Sequence, residues 1–259
     1  MLFRSNDYAP KIGHYEILPG MTLDAFLTDL TKGKEKTYNI TMIEGQTWQQ
    51  WYSQLKDHPV LVQDVKEDEL LEILAIEAKS LEGLLLPETY NVRFGTRLSE
   101  FVTRMHQDMQ RYLSQTWQDR QGMLPIHSEY EALILASIIE KETGVASERS
   151  HIASVFVNRL RKGMRLQTDP TVIYGLGERY NGDITRAHLR EKTPYNTYVI
   201  NGLPPTPIAM PGKAAIDATV NPALTEDFYF VSKGDGTHKF SKTLKEHNTA
   251  VRKYQLGLD

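Results

Sequence analysis

The chain has 259 residues, with 30 Lys and Arg against 33 Asp and Glu and a formal net charge of -3. This near balance excludes the strongly basic surface with which proteins bind nucleic acid non-specifically, so no nucleic-acid partner is predicted. The chain contains no cysteine, which excludes disulfides, thiolate zinc sites, iron–sulfur clusters and cysteine nucleophiles. No apolar run reaches the roughly 20 residues of a membrane span, so we expect the chain as given to be soluble.

The N-terminal region carries two similar stretches, which begin at Tyr15 and Ile40. Each joins a β-prone run to a glycine turn and then to a threonine that can cap a helix. Apolar residues at helical spacing follow both threonines, so we expect two strand–turn–helix units. The second unit resembles the start of a LysM-type glycan-binding module. The alternative is that its tryptophans, Trp48 and Trp51, only form the core face of a short helix.

Two further helices are predicted before the middle of the chain. Apolar residues at helical spacing predict one helix over 68–79 and a longer one over 96–116. Gly83 and Pro87 interrupt helical structure between them. No Gly/Ser linker separates these segments, so any domain boundary is expected to be tight.

The most informative segment is an apolar helix predicted over 128–144. Ser128 and Glu131 form a capping box at its start, and its middle is apolar on every side except at Ser137. This pattern predicts a helix that is buried all round.

Glu140 lies near the C-terminal end of this helix, on the same face as buried residues one and two turns earlier. Burial disfavours the ionised carboxylate, and the negative end of the helix dipole does the same. Both effects raise the pKa of Glu140, which predicts a protonated general acid. The alternative is a structural ion pair with Lys141, Arg149 or Arg159.

Two polar segments follow, after a helix predicted over 147–162. The segments 164–175 and 193–209 are rich in Tyr, Asn, Thr and Pro. Aromatic faces stack on sugar rings, and neutral polar groups bind hydroxyls. A rigid loop braced by proline, with no ligand, fits the same composition.

Several ordered segments resemble the YceG-like family of bacterial endolytic murein transglycosylases. The resemblance covers nearly the whole chain, because it extends back to Pro87–Tyr90 and forward to His247 and Asn248. Any one of its motifs alone would be weak, whereas their shared order is specific. The densest matches are Ile139–Thr143, Val155–Leu160, Met164–Gly175, Tyr195–Tyr198 and Gly202–Pro205.

The resemblance implies an α+β fold, with a small LysM-like module over 1–80 and a mainly helical, mixed α+β YceG-like catalytic domain over 81–259. It implies cleavage of the MurNAc–GlcNAc bond inside nascent peptidoglycan strands, which leaves 1,6-anhydro-MurNAc ends and terminates strand elongation. It also implies a location on the periplasmic face of the bacterial inner membrane, through an N-terminal anchor that this sequence lacks. Peptidoglycan strands are the expected substrate, and peptidoglycan synthases are candidate partners.

The family's essential glutamate falls on Glu140 in this sequence. The resemblance and the side-chain chemistry together predict eight substrate-binding residues. The most strongly supported are Gln167, Asp169, Tyr195, Asn196 and Thr197, and the others are Glu88, Glu142 and His238.

Two other functions remain open from the sequence. A hydrolase would need a second carboxylate beside the acid, and Glu88, Glu142 and Asp169 are candidates. A non-catalytic peptidoglycan-binding or scaffold protein would use only the LysM-like repeat. No metal or cofactor is predicted, because the eight histidines are scattered and no nucleotide-binding glycine motif occurs.

Overall fold

The structure is a computed structural model that describes residues 9–258. Its first helix, α1 (Leu23–Lys32), begins where predicted, because the Thr22 side chain accepts a hydrogen bond from the Ala25 amide at 3.2 Å. The strand expected before it is not formed, and no residue of α1 is buried. The first predicted unit therefore consists of a capped helix on the surface.

The second predicted unit is present. Strand β1 (Thr37–Thr41) leads to α2 (Trp48–Leu55), and Thr47 and Gln50 form a capping box at the start of that helix. Trp48 and Trp51 are buried, and the Trp51 indole donates to the Ile43 carbonyl at 3.0 Å. The interpretation of these tryptophans as core residues is confirmed.

The partner of β1 lies beyond residue 80. Strand β1 pairs antiparallel with β3 (Thr89–Arg93), and β2 (Leu61–Val62) pairs parallel with β4 (Thr96–Arg97). One hydrophobic core also joins Trp51 to Phe101. The predicted boundary at residue 80 therefore runs through paired strands and a shared core. The likeness to LysM is not confirmed, and the division into 1–80 and 81–259 stays a prediction.

The helix predicted over 68–79 is wrong beyond Ile73. Helix α3 (Leu70–Ile73) ends in a Schellman motif, in which the Ile76 amide donates to Leu71 and the Ala75 amide to Glu72, both at 3.0 Å. Ala75 holds the left-handed conformation of this motif, with φ of 51°. Glycine usually occupies that position, so the sequence carries no stop signal there.

The second half of the molecule is built around a buried helix. Helix α4 (Leu98–Gln118) precedes α5 (Glu129–Glu142), whose residues from Ala132 to Ile139 are all buried, as predicted. Buried Ser137 donates to the Ile134 carbonyl at 2.7 Å and accepts from the Ile208 amide at 3.0 Å. This hydroxyl fixes the proline-rich loop against α5.

Helices α6 (Arg149–Arg161), α7 (Asp169–Leu176) and α8 (Lys213–Val220) pack around α5. A hairpin of β5 (Tyr229–Ser232) and β6 (His238–Ser241) follows, covered by α9 (Leu244–Gln255). The described residues thus form a mixed α+β fold, as predicted. Within 9–258, no helix combines the length and the hydrophobicity needed to cross a bilayer.

Candidate active site

A cavity of about 420 Å³ opens beside the C-terminal end of α5. The start of α7, the β5–β6 hairpin and α9 complete its walls. Four of the residues predicted from the sequence line it, namely Glu142, Gln167, Asp169 and His238. The fold therefore brings together side chains that lie almost a hundred positions apart.

Glu142 is the last residue of α5, and its side chain brings a carboxyl group with a strongly shifted pKa to this cavity. Burial raises the pKa of its carboxyl to about 7, and the charge of Asp169 acts in the same direction. The Thr168 hydroxyl, which donates a hydrogen bond to Glu142, opposes the shift, as does the positive charge of Arg159. A carboxyl with this pKa can give up a proton near neutral pH.

The backbone of the loop before α7 is strained where the loop lines the cavity. Gln167 has φ of 49°, a left-handed conformation that is uncommon for a residue other than glycine. Its amide donates to the Thr197 carbonyl at 3.2 Å, and the next amide, of Thr168, donates to the Thr197 hydroxyl at 3.0 Å. These bonds hold Gln167 in place at the cavity.

Asp169 follows at the first position of α7. The Tyr198 hydroxyl donates to it at 2.6 Å, and burial together with this carboxylate raises the pKa of Tyr198. The sequence analysis assigned no role to Tyr198, although Tyr198 ends the Tyr195–Tyr198 segment that contains three predicted residues. The structure adds it to the site.

Arg159 is a second residue that sequence reasoning did not place in the site. Its side chain is buried on α6, donates to the Phe228 carbonyl at 2.6 Å and the Leu166 carbonyl at 2.8 Å, and lies over the Tyr229 ring. Arg159 follows Phe156 and Val155 by three and four positions, on the buried face of α6, and this spacing was the available signal. It supplies positive charge to the cavity wall.

Three predicted residues, Tyr195, Asn196 and Thr197, hold the loop segments around them through hydrogen bonds. The Asn196 amide group donates to the carbonyls of His188 and Glu191 at 3.0 and 2.8 Å, and the Tyr195 hydroxyl bonds Thr206 at 2.8 Å. Asn196 and Thr197 are fully buried. Their contacts shape the loop from within, and their roles toward substrate stay predictions.

Glu88 lies apart from the cavity. Its carboxylate pairs with Lys213 at 2.6 Å on the surface, and this partner lowers the pKa of Glu88. Both side chains are about half exposed. A substrate role for Glu88 would require a glycan that extends well beyond the cavity.

Glu140 faces different surroundings from Glu142. Its carboxylate accepts from the Gly212 amide at 3.0 Å, at the start of α8, and it does not line the cavity. Burial raises the pKa of Glu140, as predicted, while the Gly212 amide and Arg149 oppose the shift. Two of the three predicted ion-pair partners bind elsewhere, because Lys141 donates to Gly45 and Arg159 to Phe228.

Comparison with known proteins identifies the family. The sequence model of the YceG-like family matches residues 1–253. The chain belongs to the YceG-like family. It is 34% identical to the endolytic murein transglycosylase of Bacillus subtilis over 265 residues, which cover 94% of this chain and 73% of that protein. It is 26% identical to the endolytic murein transglycosylase of Streptococcus pneumoniae strain D39, of which it spans 50%.

A solved YceG-like structure shares the fold. The crystal structure of a YceG-like protein from Listeria monocytogenes superimposes with a TM-score of 0.68 at 33% identity. The match covers 94% of this chain and 86% of that one. The similarity to family members in sequence and in fold thus extends over nearly all of the described residues.

Proposed function

We propose that this chain is an endolytic murein transglycosylase, which cuts the MurNAc–GlcNAc bond inside peptidoglycan strands and leaves 1,6-anhydro-MurNAc ends. The names of its relatives support the activity and the substrate. The observation that carries the chemistry is the Glu140 carboxyl, which follows the buried run of α5, accepts from the Gly212 amide at 3.0 Å and has a pKa raised by burial. The anhydro product follows from the resemblance and the mechanism below.

In this mechanism protonated Glu140 donates its proton to the oxygen that links MurNAc to GlcNAc. As that bond breaks, positive charge develops at C1 of MurNAc, and the ionised carboxylate stabilises it. The C6 hydroxyl of the same sugar attacks C1 and closes the anhydro ring. Its proton passes to the ionised Glu140 carboxylate, so one group acts first as acid and then as base, and no water is consumed.

The sequence assigned the essential role to Glu140, and that assignment stays a prediction. We propose Glu140 as the proton donor, because the essential glutamate of the family falls on it and burial raises its pKa. Glu142 is the rival candidate, because it lines the cavity together with Gln167, Asp169 and His238. The two glutamates are the two candidates for one proton donor, and paired substitutions separate them.

Substrate positioning is assigned to the cavity walls. The side chains of Gln167 and Asp169 can bind hydroxyl and acetamide groups, and Tyr198 offers a flat face and holds Asp169. Tyr195, Asn196 and Thr197 act through the loop that they hold. The weakest assignment is Glu88, because it lies outside the cavity.

One observation favours a second reaction. Asp169 shares the cavity with Glu142 and raises its pKa, and a pair of carboxyl groups is what a glycan hydrolase uses. In that case water would attack C1 and a reducing end would form. In that reaction Glu142 would be the acid, and the two reactions also differ in their product.

The cell-wall substrate implies a location outside the cytoplasm. Four further proposals rest on the family resemblance. They are the periplasmic location, the membrane anchor, the synthase partners and the glycan-binding role of 1–80. The chemistry at Glu140 does not depend on them.

The test is product analysis. The purified chain is incubated with nascent peptidoglycan strands, and the fragment ends are weighed by mass spectrometry. An anhydro end is lighter than a hydrolysed end by one water, and we expect anhydro ends on fragments cut from within strands. Hydrolysed ends would show that the chain is a hydrolase and not a transglycosylase. Binding without cleavage would indicate a non-catalytic peptidoglycan-binding protein.

A further inference from the structure

The turn between β1 and α2 lies directly against Glu140. This turn, formed by residues 44–46 and here called the 44–46 turn, belongs to the N-terminal region of the chain. Gly45 lies at its centre with φ of 74°. A Cβ atom on Gly45 would lie only 3.8 Å from Cγ of Glu140, so the turn is in van der Waals reach of the acid's side chain.

Three hydrogen bonds fix the 44–46 turn in this place. The Gly45 amide donates to the Met210 carbonyl at 2.8 Å, and the Met210 amide donates back to the Gln46 carbonyl at 2.8 Å. The Lys141 ammonium group donates to the Gly45 carbonyl at 3.0 Å. The turn is therefore held by the helix that carries the acid and by the loop that leads to its amide donor.

Gly212 is enclosed by the side chains of two glutamates. Its amide donates to Oε2 of Glu140 at 3.0 Å. The place that a Cβ atom of residue 212 would occupy lies 3.3 Å from this same Oε2 and 3.3 Å from Cβ of Glu44. Carbon atoms in contact normally lie about 3.5–4.0 Å apart, so a larger residue would crowd both side chains. Glu44 and the Glu140 carboxylate thus approach each other at Gly212.

Three charged side chains act on the Glu140 carboxyl, each from a different element. They are Glu44 on the 44–46 turn, Lys141 on α5 and Arg149 at the start of α6. Burial is the largest cause of the raised pKa of Glu140, and the charge of Glu44 acts in the same direction. The Gly212 amide, Arg149 and Lys141 oppose the shift. Glu44 is the single acidic group among these neighbours, and it is exposed to solvent.

We propose that Glu44 is a positioning residue of the active site, which the 44–46 turn holds beside Glu140 and which acts on the reaction through Glu140. This inference rests on the proposed transglycosylase function with Glu140 as the acid. A negative charge beside a carboxyl group favours its protonated form. Glu44 therefore helps to keep the proton on Glu140 until the glycosidic oxygen takes it. The same charge makes the ionised Glu140 a stronger base toward the C6 hydroxyl.

The competing explanation is that the 44–46 turn only packs against the site. In that case a change at Glu44 either has no effect or lowers activity equally at every pH. A role through Glu140 has a different signature, because the charge matters only where Glu140 loses its proton. The effect is then confined to the alkaline side of the pH profile.

The first test compares pH profiles of kcat on glycan strands. Glu44→Gln should keep the plateau at low pH and lower kcat by about 2- to 5-fold on the alkaline side, the size expected for an exposed charge pair. Glu44→Asp retains the charge and should retain the profile. Arg149→Gln removes an opposing charge and should raise kcat on the alkaline side. The matched control is Glu72→Gln, which removes an exposed carboxylate on α3 that does not act on Glu140.

The second test measures the titration of Glu140 directly and needs no catalysis. Glutamate carboxyl carbons are labelled with ¹³C, and the signal of Glu140 is identified by its loss in Glu140→Gln. This signal should titrate at lower pH in Glu44→Gln than in the unmodified chain, and at higher pH in Arg149→Gln.

Two results would overturn the inference. One is a Glu140 titration that is the same in Glu44→Gln as in the unmodified chain. The other is a Glu44→Gln variant whose kcat falls by the same factor at every pH. Failure of the unmodified chain to cut strands, with both changes in the Glu140 titration present, would instead overturn the proposed function and not the contact between Glu44 and Glu140.

Discussion

Glu140 and Glu142 lie two residues apart on α5 and point to opposite sides of it. Each residue of an α-helix turns by about 100°, so side chains at i and i+2 face nearly opposite directions. Glu140 meets the Gly212 amide at the start of α8, whereas Glu142 faces the cavity with Asp169. The pKa of both is raised by burial, so direction and not acidity distinguishes them.

We predict that Tyr198 contributes to substrate binding because it holds the Asp169 side chain in place. Tyr198→Phe removes the hydroxyl that donates to Asp169 at 2.6 Å and should lower kcat/KM by about 10- to 150-fold, since a hydrogen bond to a charged group contributes about 1.5–3 kcal/mol. The matched control is Tyr112→Phe, which removes a bond of the same length to Asp217 away from the cavity. Steady-state kinetics of both variants test this. Equal activity of the two would contradict a role for Tyr198.

Glu82 is predicted to make the fold less stable as pH rises. Its buried carboxyl accepts from the Trp48 amide at 3.0 Å and the Tyr174 hydroxyl at 3.2 Å, yet burial raises its pKa from 4.5 to about 7. Between these two values the folded state binds more protons than the unfolded state, so stability is highest at low pH and falls up to about pH 7.

The variant Glu82→Gln should remove this part of the pH dependence. The loss in the unmodified chain is up to about 3 kcal/mol from this group, by the ratio of about 1.4 kcal/mol for each pKa unit. Urea unfolding at pH 5 and pH 8 measures it, as the difference between the two proteins. A variant with the same pH dependence as the unmodified chain would show that Glu82 does not titrate in this range.

Two residues with left-handed backbone offer a test of strain at the site. Ala75 and Gln167 have φ of 51° and 49°. Replacing either with glycine should relieve strain and raise the free energy of unfolding by up to about 1 kcal/mol. Ala75→Gly should leave activity unchanged, whereas Gln167→Gly should raise KM because a cavity side chain is lost. Denaturation and kinetics of both variants are the measurements, and an unchanged KM in Gln167→Gly would contradict the role of Gln167.

The sequence predicts the long helices well because their patterns are local. The stripe of α4 and the apolar centre of α5 both appear in the structure as expected. The pairing of β1 with β3 could not be predicted, since it depends on partners far apart in the chain. The early end of α3 could not be predicted from the sequence either, because Ala75 takes a conformation that usually requires glycine.

The directions in which Glu140 and Glu142 point could not be predicted from the sequence for a related reason. A helix with one apolar face indicates which of its side chains point inward. Helix α5 is buried on all sides, so periodicity does not separate Glu140 from Glu142. Only the packing of α7, α9 and the β5–β6 hairpin creates the cavity on one side of it.

The most direct measurement compares Glu142→Gln with Glu140→Gln on nascent peptidoglycan strands, at the same protein concentration and with folding checked by thermal unfolding. Each change replaces one carboxyl by an amide of nearly equal size, two residues apart on the same helix. We predict that Glu140→Gln reduces the release of fragments by at least about 100-fold, whereas Glu142→Gln retains most of it. Full activity in Glu140→Gln, together with loss in Glu142→Gln, would contradict this account and give the role of proton donor to Glu142.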